Sequence, residues 1–117
     1  MNHPRVERVR PGHRDRVGES PLWDADAGAL WWVDIESCAI RRLHLADDAL
    51  QSWTLPERVA CLALHADGGL VAGLETCIAH VTPHADGRAG VATLASAHHA
   101  REGIRFNDGR CDRAGHF

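Results

Sequence analysis

Apolar and polar residues alternate along the chain in short runs, and turn residues rather than long polar loops separate the runs. Pro21-Leu22-Trp23 is followed by a turn at 24–28, then by Ala29 to Ile35, rich in Trp and β-branched residues. Ala39 to Leu45 and Gln51 to Leu55 complete the first set, with a turn at 46–48 between them. The order then recurs as Val59 to Leu64, Leu70 to Leu74, Cys77 to Thr82 and Val91 to Leu94, with turns at 66–69 and 86–87. Period-two alternation bounded by Asp, Gly and Pro predicts strands joined as hairpins, and no segment sustains a capped 3.6-residue pattern. The chain reads as all-β.

The turns also repeat. Asp26, Asp67 and Asp112 each open a Gly-containing turn, and they stand 41 and 45 residues apart. Four strands in a unit of roughly 40–50 residues is the signature of a β-propeller blade. A sandwich or Greek-key barrel is the alternative, and it does not require this spacing. The predicted architecture is therefore a partial β-propeller, with blades at about 16–56 and 57–97 and an incomplete third over 102–117, in which Gly115-His116-Phe117 begins a strand. Because a propeller closes its ring with ~4–8 blades, the expectation is an N-terminal fragment of a longer protein or a truncated reading frame.

The innermost strand of each blade lines the central channel, so polar residues there are candidates for chemistry. Superposing the repeats on their turn Asp places Glu19, Ala60 and Arg105 at equivalent positions, each seven residues before it. Asn107 lies two residues beyond Arg105, on the same strand face. A carboxylate, a guanidinium and an amide would then converge near one channel mouth. Spacing alone leaves two readings open. One is a structural Glu–Arg pair. The other makes Glu19 a hard oxygen ligand for a divalent cation, with Arg105 and Asn107 holding an anionic or polyhydroxylated substrate.

Composition narrows the function classes. With 44% hydrophobic and 25% charged residues the chain has ordinary globular composition, and a net charge of −3 argues against nucleic acid as a partner. No apolar run approaches the ~18 residues of a membrane span, so no membrane association and a cytoplasmic location are expected. Residues 1–15 form a basic tail carrying Arg5, Arg8, Arg10 and Arg14, read as a solvated leader ahead of the propeller portion at 16–117. Cys38, Cys61, Cys77 and Cys111 form no C-x-x-C pair and read as buried free thiols. The histidine pairs His80/His84 and His98/His99 flank turns and read as solvated.

Four segments in order resemble one family: Gly18-Glu19-Ser20-Pro21-Leu22-Trp23-Asp24, Leu30-Trp31-Trp32-Val33-Asp34-Ile35, Leu70-Val71-Ala72-Gly73-Leu74-Glu75 and Arg105-Phe106-Asn107-Asp108-Gly109-Arg110-Cys111-Asp112. They are similar to the senescence-marker-protein, gluconolactonase and luciferin-regenerating-enzyme family, which includes regucalcin. The resemblance implies a six-bladed ring with one divalent metal ion (calcium, zinc, magnesium or manganese) in its channel, hydrolysing a small-molecule sugar lactone. It makes Glu19 a metal ligand and Arg105 and Asn107 substrate-binding residues. Asp108 and Gly109 are expected to form the turn, and Trp23, Trp31 and Trp32 to pack the blades. The resemblance also implies that the remaining metal ligands, an Asn and an Asp, lie beyond Phe117. The Asp is the general base, so no catalytic residue is expected within this chain, and the fragment alone should be inactive. A non-catalytic calcium-binding or protein-interaction propeller is the competing reading.

Overall fold

The computed structural model describes residues 2–117, and it is all-β. Eight strands follow in chain order: β1 (Gly18–Asp24), β2 (Ala29–Asp34), β3 (Ala39–His44), β4 (Ala49–Thr54), β5 (Val59–Leu64), β6 (Leu70–Leu74), β7 (Cys77–Pro83) and β8 (Ala89–Ser96). They form two four-stranded antiparallel sheets, β1-β2-β3-β4 and β5-β6-β7-β8, each a meander in which every strand pairs with its sequence neighbour. The sheets span residues 18–54 and 59–96, and among the described residues there is no helix.

The core lies between the sheets. In the first, the row Val33–Ile40–Trp53 runs across three strands in register, and all three side chains are buried. The second sheet presents Val59, Leu62, Leu70, Leu74 and Val81 to it. Period two, with an extra residue between Val59 and Cys61, puts these residues on one face of each sheet, which is why so short a chain holds a continuous apolar layer. Trp53 also donates its indole N–H to the His84 carbonyl at 2.7 Å, tying β4 to the far turn of the second sheet.

Each outer face is covered by a segment without regular structure. Against the first sheet, Asp15 accepts from the Trp32 indole (2.8 Å), the Arg41 guanidinium (2.7 Å) and the His13 ring (2.8 Å). Arg41 also reaches Asp34, whose carboxylate accepts the amides of Arg16 (3.0 Å) and Val17 (2.9 Å). Burial works against the charge on Asp34. The Val17 amide, the Ser37 hydroxyl, the Arg16 amide and Arg41 together outweigh it, and the carboxyl titrates well below the usual carboxylate range. The basic leader is thus free only in part: residues 2–9 are exposed, but Arg10 pairs with Asp48 and residues 13–17 are clamped to the sheet.

The second sheet is covered on its far side by residues 103–117. Phe106 and Gly109 approach Gly73 and Cys61 closely enough that a side chain on either glycine would strike the Cys61 sulfur. This stretch contains no strand, which corrects the expectation that one begins at Gly115. A strand needs a ladder partner, and among the described residues the backbone bonds of 112–116 are made within their own turn. Its turn is nevertheless formed. The Asp112 amide donates to the His116 carbonyl and the Gly115 amide to the Asp112 carbonyl, as the His65 amide does to Gly69 and Gly68 to His65 in the β5–β6 hairpin.

Two packing expectations need correction. Trp31 is buried and Trp32 is half-buried against Asp15, but Trp23 is 50% exposed because it lies on the opposite face of β1 from Leu22, which packs against the core. Cys61 and Cys77 are buried thiols, whereas Cys38 is half-buried and Cys111 is exposed.

Candidate functional site

The first strands of the two sheets, β1 and β5, lie next to one another, and residues 108–111 follow on. A cavity of about 560 Å3 opens among them, with Glu19, Leu22, Leu62, Asp108 and Arg110 on its wall. That volume falls within the range of small-molecule pockets.

Glu19 reaches this wall through a β-bulge. Its ladder partner is Val33 and that of Leu22 is Trp31, so three steps along β1 oppose two along β2. Simple alternation would set Glu19 and Leu22 on opposite faces; the extra residue brings them to the same one. Ser20 carries the bulge in the left-handed region at φ +55°. A non-glycine residue held there costs about 1–3 kcal/mol unless its surroundings fix it. Here the Ser20 hydroxyl accepts the Leu62 amide of β5 at 3.1 Å.

The Glu19 side chain is exposed. The polar bonds nearby use the Ser20 hydroxyl and Asp108, whose Oδ1 accepts the Gly109 amide at 2.8 Å, and among the described residues none engages the Glu19 carboxylate. A free carboxylate on a cavity wall fits one ligand of a hard divalent cation. The described residues contain no group of three His, Cys, Asp or Glu side chains able to hold a metal ion between them.

Arg105 and Asn107 are bonded to one another: the guanidinium Nη1 donates to Asn107 Oδ1 at 3.3 Å and to the Phe106 carbonyl at 2.9 Å. Arg105 is half-buried, Asn107 is exposed, and neither lines the cavity that Glu19 lines. The ladder also corrects the superposition of repeats. The β1–β2 turn has four residues between Asp24 and Ala29, while the β5–β6 turn has five between Leu64 and Leu70. Aligning on the turn Asp is therefore off by one: Glu19 opposes Val33 as Val59 opposes Leu74, so Glu19 corresponds to Val59. By its turn, the third segment places Phe106 at that position and Arg105 at the position of Arg58. Glu19 and Arg105 occupy adjacent levels rather than the same one.

Around the Arg58 level lies a charged cluster that spacing did not reveal. Arg58 binds Glu75 (2.8 Å), the Gly103 carbonyl (2.8 Å) and Glu36 (3.6 Å). The Arg58 guanidinium holds the Glu75 carboxyl below its usual range, with a smaller contribution from the Arg105 charge. The partners lie 17 to 45 residues apart, and no local motif announces such a cluster.

Residues 17–117 match the SMP-30/Gluconolactonase/LRE-like region. The chain is 38% identical over 105 residues to L-arabinolactonase from Azospirillum brasilense, covering 89% of this chain and 34% of that protein. It is 35% identical over 101 residues to 6-deoxy-6-sulfogluconolactonase from Pseudomonas putida, with 86% and 34% covered. Against regucalcin from Oryctolagus cuniculus the identity is 32% over 119 residues, with 100% and 38% covered. Among solved structures, a luciferin-regenerating enzyme superposes with a TM-score of 0.68 at 26% identity, over 86% of this chain and 34% of that one. The chain thus spans about a third of the length of the relatives it matches. The extent of the family match, with the bulged G-E-S-P strand and the R-F-N-D-G segment inside it, places this chain in the SMP-30/gluconolactonase/LRE-like family.

Proposed function

We propose that the chain supplies the first two blades and the opening segment of the third in a six-bladed propeller that hydrolyses a sugar lactone with the help of one divalent cation. The observation that carries this reading is the unengaged Glu19 carboxylate on the wall of the cavity between β1, β5 and residues 108–111. The lactonase names of two relatives support the substrate class. In the reaction, water adds to the ring carbonyl, the ring C–O bond breaks, and a hydroxy acid is released. A bound cation supplies Lewis-acid polarisation of that carbonyl. Glu19 is its ligand from this chain, and calcium, zinc, magnesium and manganese all accept a carboxylate oxygen. Arg105 and Asn107 lie outside that cavity and bond to each other; as substrate-binding residues they would offer a guanidinium and an amide to sugar hydroxyls.

The test separates the two roles in the complete ring. Hydrolysis of glucono- and arabinono-lactone is followed by pH-stat at increasing metal. Glu19→Gln should weaken metal affinity and lose activity that added metal partly restores. Arg105→Ala should leave metal affinity unchanged and lower kcat/KM by roughly 10²-fold, with no rescue by metal. The 117-residue chain on its own should show no turnover, since catalytic metal sites use about three protein ligands. Rescue of Arg105→Ala but not of Glu19→Gln would reverse the assignments. Metal binding without hydrolysis of any lactone would favour a non-catalytic calcium-binding propeller.

A further inference from the structure

Ser20 lies between the candidate ligand and the neighbouring sheet. It occupies the extra position of the bulge in β1, with φ +55° and Pro21 directly after it. Both features disfavour the observed backbone: a side chain crowds the left-handed region, and a following proline biases a residue toward extended conformations. The conformation is held from outside the strand. Leu62 is 4% exposed, its amide points away from β6 toward β1, and the Ser20 hydroxyl is the acceptor that satisfies it at 3.1 Å. A buried amide without a partner is strongly disfavoured, so the bond fixes Ser20 and, through it, the bulge.

The bulge in turn decides where Glu19 points. Without the extra residue Glu19 would share the face of the half-exposed Trp23; with it, Glu19 shares the face of Leu22 and lines the same cavity. The second sheet carries a bulge at the corresponding place, around Ala60, with no side-chain hydroxyl and no positive φ there. The bulge belongs to the repeat, and the hydroxyl clamp belongs to the strand that bears the carboxylate.

We infer that Ser20 is a positioning residue for the Glu19 metal ligand, acting through its hydrogen bond to the Leu62 amide. The inference rests on the reading of Glu19 as a ligand. Groups that orient a ligand from behind typically change metal affinity by 10–100-fold when removed.

The experiment uses the 117-residue chain and Mn2+ as the probe, read by paramagnetic broadening of backbone amide resonances, which detects millimolar binding. Four proteins are titrated: wild type, Glu19→Gln, Ser20→Gly and Ser20→Asn. Glycine tolerates the left-handed conformation but lacks the hydroxyl. Asparagine tolerates it and offers a side-chain oxygen. In the wild type, broadening centres on residues 18–22 and 61–63. Glu19→Gln removes that focus. Ser20→Gly should need at least 10-fold more Mn2+ for the same broadening, and Ser20→Asn should recover to within about threefold of wild type. Metal-free melting temperatures guard against a purely structural effect: the glycine variant should stay within a few degrees of wild type, because relief of strain offsets the lost bond.

If Glu19→Gln abolishes the focus while Ser20→Gly titrates like wild type, the positioning role is wrong and the ligand reading survives. If asparagine recovers nothing while glycine fails, the hydrogen bond is not the cause. If the wild type shows no focus near Glu19, the ligand reading fails and takes this inference with it.

Discussion

Trp31 and Trp53 lie ring on ring, with centroids 5.6 Å apart, yet only Trp53 satisfies its indole N–H. The Trp31 Nε1 is buried with no hydrogen-bond partner, while Trp53 donates to the His84 carbonyl. The Arg42 guanidinium covers both rings, 4.9 Å from Trp31 and 5.2 Å from Trp53. The two residues therefore share packing and differ in one polar group. Trp53→Phe should destabilise by about 1–2 kcal/mol, from the lost hydrogen bond and part of the ring. Trp31→Phe loses similar area but removes an unsatisfied donor that costs about 1–3 kcal/mol, so it should fall close to neutral. Urea unfolding of both variants decides this. A Trp31→Phe variant less stable than Trp53→Phe would show that ring area outweighs the polar group.

Gly73 is defined by what its missing side chain would meet. A Cβ there would stand 2.6 Å from the Cys61 sulfur and 3.8 Å from the Phe106 Cβ. Gly73→Ala should destabilise by about 1–3 kcal/mol through overpacking. Cys61→Ala removes the atom struck, so the double variant should be more stable than the sum of the two single changes implies. A coupling of at least about 0.5 kcal/mol is expected for residues in contact. Additive effects in a denaturant cycle would mean that the strand moves as a unit instead.

The strands were legible because their signal is local. Leu30 to Ile35 and Val59 to Leu64 carry alternation or apolar runs that any sheet of this kind needs, and the Asp–Gly turns mark the breaks. The bulge at Ser20 was not legible, because an extra residue in a ladder shows only against its partner strand. The superposition that equated Glu19 with Arg105 failed for a separate reason, the β1–β2 turn being one residue shorter than the β5–β6 turn, which also shows only in the ladders. The Asp15–Arg41–Asp34 network was hidden for a related reason: its members are 7 to 26 residues apart and read singly as surface charges. Trp23 shows the opposite error. An aromatic in a strand suggests core, but only its parity relative to Leu22 fixes its side, and half of it is exposed.

The thiols should separate by reactivity. All four cysteines are free; Cys111 is exposed, Cys38 half-buried, and Cys61 and Cys77 buried. Burial pushes the Cys61 thiol up, and the nearby Asp108 charge adds to this against the Gly73 amide. Burial and the Glu75 charge likewise raise Cys38. Since the thiolate is the reactive form, a disulfide-exchange reagent at pH 8 should modify Cys111 first and Cys38 more slowly. Cys61 and Cys77 should react only at the rate of unfolding. Peptide mapping of a time course checks the order, and early modification of Cys61 would mean that residues 103–117 do not cover the sheet.

Asp34 should set the acid limit of stability. Its side chain is 1% exposed and binds two backbone amides and Arg41 in the charged form. Its folded pKa is depressed, whereas an unfolded Asp titrates near ~3.9. The sign follows from linkage: the stabilisation is complete above the unfolded pKa and is lost as pH falls through the folded one. Stability should therefore be flat down to about pH 5 and decline below about pH 4. Asp34→Asn cannot take on the charge and turns an amide donor toward donors. It should cost roughly 2–4 kcal/mol at pH 7. Because asparagine does not titrate, the gap between the two proteins should narrow as the pH falls from 5 toward 2. Urea midpoints measured across that range follow the gap directly. A gap as wide at pH 2.5 as at pH 7 would mean that the loss comes from shape and hydrogen-bond geometry, with the charge of Asp34 contributing nothing.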